Sequence, residues 1–270
     1  MVLLNYLLVL TQYDLVIVDL DGVVWRGKEV IEGAVEAVNK LMKTSKVAFA
    51  TNNSSKSREQ YLERLREIGI HTSLENIFTS AYATAVFLEK KNMRKIYVIG
   101  EAGLFYELSR KGLLVVNEEQ CFTGRVDAVV VGIDRNITYL KLSTAANAIR
   151  KGALFVLTNP DATLPVENRL DPGAGAIAAA VEVASGKKPD YTIGKPSSLF
   201  YEIIRSEIGK YKKVLVVGDR LDTDVKFAKN IGADSLLVLT GATTPKELTK
   251  SALKPTYVLN SIAQILETTP

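Results

Sequence analysis

The chain has 270 residues, 47% of them apolar and 24% charged, with a formal net charge of +4. This is the profile of a globular protein of one large or two ordinary domains, and it excludes collagen-like, disordered and low-complexity chains. One cysteine and one histidine leave no intrachain disulfide and no His/Cys zinc cluster, and the small charge without dense Lys/Arg runs argues against nucleic acid as a partner.

Taken in chain order, the apolar stretch Met1–Leu10 lacks a basic n-region and a small-residue cleavage site. It is also shorter than the roughly 20 residues a bilayer span needs, so it is expected to be a lead-in to the body or a start-site extension. No membrane contact and a reducing, cytoplasmic setting follow as expectations from these features and the single cysteine, Cys121.

Leu15–Val18 reads as a buried strand, followed by a helix from about Gly33 to Met42, a strand at Val47–Ala50 and a charged helix from about Ser57 to Ile68. A second series has strands at Ile96–Ile99, Ala128–Val131 and Leu154–Leu157. Its helices fall near Gly103–Lys111, Thr138–Lys151 and Ala174–Ala184. A third series follows Pro189, with strands at Val214–Val217 and Ser235–Leu239 and helices at Ser198–Ile208 and Thr223–Ile231. Short β-branched runs alternating with helical periodicity predict an α/β fold, a Rossmann-like parallel sheet with helices on both faces. The expected linkers are a turn near Ser80 and the polar stretch Gly186–Pro189. If one site is to be built from both ends of the chain, the core is discontinuous, 1–80 plus 187–270, with an α/β domain, 81–186, inserted as a cap.

Four segments carry chemistry, each at the end of a predicted strand or the start of a helix, the edge where open parallel sheets bind ligands. Asp19-Leu20-Asp21-Gly22 follows an apolar strand. Carboxylates at i and i+2 share one side of an extended chain, and two acids there are costly without a cation, although Asp and Gly also form ordinary turns. Thr51-Asn52-Asn53-Ser54 offers hydroxyls, amides and backbone N–H groups suited to phosphate oxygens, or else a helix cap. Gly194-Lys195-Pro196-Ser197 points a lysine at a helix start and is not a Walker A loop. Gly218-Asp219-Arg220-Leu221-Asp222-Thr223-Asp224 gathers three carboxylates, the donor set of a hard cation such as Mg²⁺, or the exposed first turn of a helix. Together these are the parts of a phosphoryl-transfer site.

The set resembles the haloacid dehalogenase superfamily, and within it the p-nitrophenylphosphatase/NagD-like phosphatases with a large α/β cap. Thr158-Asn159-Pro160-Asp161 and Pro172-Gly173-Ala174-Gly175 add to the likeness. The resemblance implies Asp19 as nucleophile and Asp21 as general acid and base. It implies Mg²⁺ held by the Asp19 carboxylate, the Asp21 carbonyl and Asp219, with Asp224 orienting that shell. Thr51, Asn52 and Asn53 would bind phosphoryl oxygens, and Lys195 would hold nucleophile and phosphate in register. The implied partner is a small phosphorylated metabolite, and caps of this group make a homodimer plausible. Family members acting on pyridoxal phosphate have a histidine in the cap loop where this chain reads Ala162-Thr163-Leu164-Pro165, so that substrate is a poor first guess.

Two rivals use other features. Gly173-Ala174-Gly175-Ala176-Ile177-Ala178 fits a loose dinucleotide fingerprint, but the nearest predicted strand ends near Leu157 rather than directly before it. A non-enzymatic phospho-receiver would also use acidic strand ends and a lysine, yet it would need no second domain.

Overall fold

The computed structural model describes residues 12–166 and 169–266; the apolar Met1–Leu10 stretch lies outside them. The chain divides into two compact units. Of the described residues, one contains 12–51, Leu62–Phe78 and 204–266; the other contains Asn52–Tyr61 and those between Thr79 and Ile203.

In the first unit, six strands form one sheet in the order Tyr257–Leu259, Asp234–Val238, Val214–Gly218, Leu15–Val18, Lys46–Thr51, Ile77–Thr79. The first five run parallel. All four residues of Leu15–Val18 are buried, as a central parallel strand requires when both faces are covered. Both ends of the chain therefore do build one sheet. From Leu15–Val18 the chain steps one way to Lys46–Thr51 and later returns on the other side through Val214–Gly218. The order reverses between Leu15–Val18 and Val214–Gly218, and at such a point the strand ends open a crevice.

The second unit has its own parallel sheet, ordered Tyr191–Thr192, Leu154–Leu157, Ala128–Val131, Lys95–Ile99, Leu114–Val116. Its core includes Val129, Val131 and Phe155 from the strands, with Ala145 and Ile149 from helix Tyr139–Arg150 and Ile177 and Val181 from helix Ala174–Ser185. The segment 81–186 lies wholly in this unit.

Three expectations need correction. Instead of a turn, Ser80 opens the helix Ser80–Lys90, whose N-cap Thr79 accepts from the Tyr82 N–H through its hydroxyl; Ser80 through Leu88 are all buried. A helix enclosed on every side carries no amphipathic period to read. The predicted helix Thr223–Ile231 begins as a wide turn, Leu221–Val225, before α-helix Lys226–Ile231. Finally, a strand does directly precede Gly173. It is Arg169–Pro172, one arm of an antiparallel two-stranded ribbon with Thr163–Val166, so no βαβ unit is made there. Gly173 and Gly175 instead let helix Ala174–Ser185 start against the Pro160–Asp161 turn: a Cβ on Gly173 would overlap the Asp161 carbonyl, and one on Gly175 the Pro160 and Asp161 carbonyls.

Candidate active site

The acids of the first unit owe their placement to register. Val18 pairs with both Val217 and Phe49, so Asp19, Asp219 and Thr51 all emerge at the C-terminal edge of adjacent strands. The Asp19 N–H still donates to the Val217 carbonyl at 2.9 Å, extending the ladder to the residue that carries the carboxylate. Asp19, Asp219 and Asp224 are all buried, and one carboxylate oxygen from each lies within 4.8 Å of the others.

Asp219 and Asp224 are held by hydrogen bonds from outside the trio. Asp219 Oδ2 accepts from the Ala242 N–H at 2.6 Å, and the Asp219 carbonyl accepts from the Thr243 N–H at 3.2 Å. Asp224 Oδ2 accepts from the Arg220 N–H at 3.1 Å and from the Thr223 hydroxyl at 3.3 Å. Glycines make room for these carboxylates. A Cβ on Gly22 or Gly241 would overlap the Asp219 side chain, and one on Gly218 would overlap Asp224. Gly22 also has φ +86°, a left-handed conformation that other residues adopt only with strain.

Asp222, the third carboxylate of its segment, is turned elsewhere. It pairs with Arg220 at 2.8 Å. Partial burial pushes the Asp222 carboxyl up, but the hydrogen bonds and charge of Arg220 outweigh that and hold it below the usual carboxylate range. Asp21 is exposed, and its Oδ1 accepts from the Trp25 indole N–H at 3.0 Å. Trp25 itself is fully buried and lies under the Arg64 guanidinium, 3.9 Å from the ring centroid. Thr240 Oγ1 donates to the Gly22 carbonyl at 2.6 Å, tying the Asp21 turn to the loop that supports Asp219.

The second unit holds Asn52, Asn53 and Lys195. Asn52 Nδ2 donates to both carboxylate oxygens of Asp161, at 3.0 and 3.2 Å, and to the Lys195 carbonyl at 2.9 Å. Its backbone carbonyl accepts from the Ser80 hydroxyl at 2.5 Å and from Asn159 Nδ2 at 2.7 Å. Asn53 Oδ1 folds the next turn, accepting from the Ser55 N–H at 2.9 Å and the Ser55 hydroxyl at 2.7 Å. Lys195 is 2% exposed, unusual for a lysine and a sign that its charge is specifically accommodated. His71 is exposed and takes no part in either group.

Two sequence models of haloacid dehalogenase-like hydrolases match the chain, one over residues 16–113 and one over residues 192–265. An acid sugar phosphatase of Staphylococcus aureus is 36% identical over 258 residues, covering 94% of this chain and 97% of that protein. The chain belongs to the haloacid dehalogenase-like hydrolases. Among solved structures, a p-nitrophenyl phosphatase from Archaeoglobus fulgidus superposes with a TM-score of 0.87 at 36% identity, covering 94% of this chain and 98% of that one. A glycerol phosphate phosphatase from Mycobacterium tuberculosis, in complex with magnesium, gives a TM-score of 0.86 at 34% identity, covering 95% and 77%.

The family resemblance drawn from the four motifs is thus borne out. Within this haloacid dehalogenase-like frame, motif reading missed Trp25, Thr240, Gly241 and Ala242. Trp25 lies four residues from Asp21 and could have been sought as a donor for it. The Thr240–Ala242 loop shows only small residues after a strand, a pattern with no signal until the sheet sets it beside Asp219.

Proposed function

We propose that this chain is a Mg²⁺-dependent phosphatase of small phosphate monoesters, working through an aspartyl-phosphate on Asp19. The observation that carries the reading is the buried trio Asp19, Asp219 and Asp224, with carboxylate oxygens within 4.8 Å of one another. Three buried carboxylates converging at that spacing supply the oxygen donor set that suits a hard divalent cation. Asp19, Asp219 and the Asp21 carbonyl are the proposed ligands, and Asp224 orients them from its own hydrogen bonds. Bound Mg²⁺ supplies positive charge to the phosphoryl oxygens and so offsets their repulsion of a carboxylate.

In the first step an Asp19 carboxylate oxygen attacks phosphorus. The Oδ–P bond forms, the ester P–O bond breaks, and Asp21 gives its proton to the departing alkoxide. In the second step Asp21 takes a proton from water as the water oxygen attacks phosphorus. The Oδ–P bond then breaks, releasing phosphate and restoring Asp19. Splitting the displacement in this way replaces one hard step by two easier ones. Thr51, Asn52, Asn53 and Lys195 are proposed to grip the phosphoryl group. Asn52 acts through its backbone, because both hydrogens of its side-chain amide are already given to Asp161 and Lys195. The second unit, with 81–186 as a cap, is proposed to select the substrate.

The named activities of the relatives, on sugar phosphates, glycerol phosphate and p-nitrophenyl phosphate, support a small phosphorylated metabolite as substrate here. Pairing of two copies through the cap belongs to the same reading, supported by the exposed Tyr139 and Leu140 at the start of helix Tyr139–Arg150. No helix among the described residues is long and apolar enough to cross a membrane.

The test is turnover of p-nitrophenyl phosphate with Mg²⁺ by the wild type and Asp19→Asn. The variant is expected to lose at least about 10³-fold in kcat, since removing a nucleophile leaves only binding and electrostatic contributions. Near-normal turnover by folded Asp19→Asn would refute the assignment.

A further inference from the structure

Asn52 has an unusual set of partners. Its Nδ2 faces three acceptors, Asp161 Oδ1, Asp161 Oδ2 and the Lys195 carbonyl. That arrangement fixes which end of the amide is nitrogen, because a rotated amide would press its oxygen against a carboxylate. The amide oxygen is thereby turned away into a buried position with no hydrogen-bond partner, beside Gly194, where a Cβ would stand only 2.6 Å from it. A buried, unpartnered acceptor is costly. It is held in place here by a carboxylate 109 residues away in sequence.

Asp161 is itself anchored. Its N–H donates to Asn159 Oδ1 at 3.2 Å, its carbonyl accepts from the Gly175 N–H at 2.9 Å, and Asn159 Nδ2 returns to the Asn52 carbonyl at 2.7 Å. The turn Asn159–Asp161 thus grips Asn52 by both its main chain and its side chain, and through Asn52 it also reaches the backbone of Lys195.

We infer that Asp161 is a positioning residue of the phosphatase reaction, acting through the Asn52 amide on the Asn52–Asn53 turn and on Lys195. This rests on the phosphatase reading above and assigns a role to a side chain outside the four motifs. Asp161 does not touch the reacting atoms. Its carboxylate aligns two segments, each of which is proposed to hold the phosphoryl group, and a hydrogen bond to a charged acceptor is among the stronger ones available for that task.

The experiment compares Asp161→Ala and Asp161→Asn, alone and on an Asn52→Ala background, with thermal midpoints confirming folding. Two quantities are read: kcat/KM for p-nitrophenyl phosphate with Mg²⁺, and the dissociation constant of inorganic phosphate by calorimetry. Asp161→Ala is expected to lower kcat/KM by about tenfold to a hundredfold and to weaken phosphate binding in step, the scale of one charge-assisted hydrogen bond. Asp161→Asn, which keeps an oxygen acceptor, should stay within about fivefold of wild type.

On the Asn52→Ala background, Asp161→Ala should cost less than about twofold more, because the coupling partner is gone. A loss undiminished on that background, or kcat/KM within twofold of wild type in folded Asp161→Ala, would overturn the inference. If the alanine variant does not fold, Asp161→Glu replaces it, moving the carboxylate by one methylene, with the same expected loss and the same overturning results. A wild type that binds phosphate but turns nothing over would instead sink the phosphatase reading, while the calorimetric arm still decides the role of Asp161.

Discussion

Gly241→Ala is the sharpest probe of the aspartate cluster, because it leaves every charged residue in place. A Cβ at this position would overlap the Cβ, Cγ and Oδ2 atoms of Asp219. Asp219 is buried, and its Oδ2 is held by the Ala242 N–H at 2.6 Å, so the whole side chain must swing away from the cluster and give up that bond. Overpacking of this kind costs about 1–3 kcal/mol, which for a chain of this size lowers the thermal midpoint by roughly 2–10 °C. The diagnostic effect is on Mg²⁺. Disturbing a residue that merely supports a ligand costs about 10–100-fold in metal affinity, and displacing a ligand should cost no less. At a concentration of about 100 times the wild-type Kd, Mg²⁺ stabilises the wild type by about 2.7 kcal/mol. A variant bound 100-fold more weakly gains only about 0.4 kcal/mol under the same conditions. Differential scanning calorimetry with and without Mg²⁺ reads the difference directly. If the Mg²⁺-induced rise in midpoint is the same in Gly241→Ala as in the wild type, Asp219 is not a ligand.

Three further outcomes follow from the geometry. Asp21→Asn keeps an oxygen acceptor for the Trp25 indole and should fold normally. It should lose about 10²–10⁴-fold in kcat/KM for an alkyl phosphate and less for p-nitrophenyl phosphate, whose leaving group needs little protonation; equal losses on both esters would argue against proton donation. Asp224→Asn should weaken Mg²⁺ by about 10–100-fold and by less than Asp219→Asn does, as metal titrations of activity will show; the reverse order would make Asp224 the ligand. Glu107 is almost fully buried, and burial pushes its carboxyl above the ordinary value of 4.5 despite the Arg58 N–H and charge beside it. The folded state therefore holds this proton more tightly than the unfolded chain, and its contribution to stability falls as pH rises above 4.5. Glu107→Gln should flatten that part of the dependence in denaturant titrations across pH, and an unchanged slope would contradict it.

Much of this was legible locally. An apolar run ending in Asp19, another ending ahead of Asp219, and the hydroxyl-amide turn after Ala50 each combine a strand signal with chemistry within a few residues. The parallel α/β class, the inner strands of both main sheets and the four functional segments could therefore be read in order, and the family followed from them; the short edge strands Ile77–Thr79, Leu114–Val116, Tyr191–Thr192 and Tyr257–Leu259 could not. Local signals also have blind spots. Helix Ser80–Lys90 is buried around its whole circumference through Leu88 and so lacks the periodicity that marks a helix. The ribbon Thr163–Val166 with Arg169–Pro172 is short, with proline in both arms.

What only the tertiary structure decided are the contacts between residues far apart along the chain. That Asp19, Asp219 and Asp224 converge within 4.8 Å depends on the order of strands in the sheet, which no single segment encodes. That Asp222, equally acidic in sequence, turns to Arg220 instead depends on the wide turn that follows Asp219. Gly241 serves the site because its missing Cβ leaves space for the Asp219 carboxylate, and Asn52 is oriented by Asp161 across 109 residues. Backbone propensity and hydrophobic period act over one or two turns of chain, whereas burial, register and the satisfaction of polar groups are settled only when distant segments meet. The chemistry of Asp19 could be read one residue at a time; the geometry that surrounds it could not.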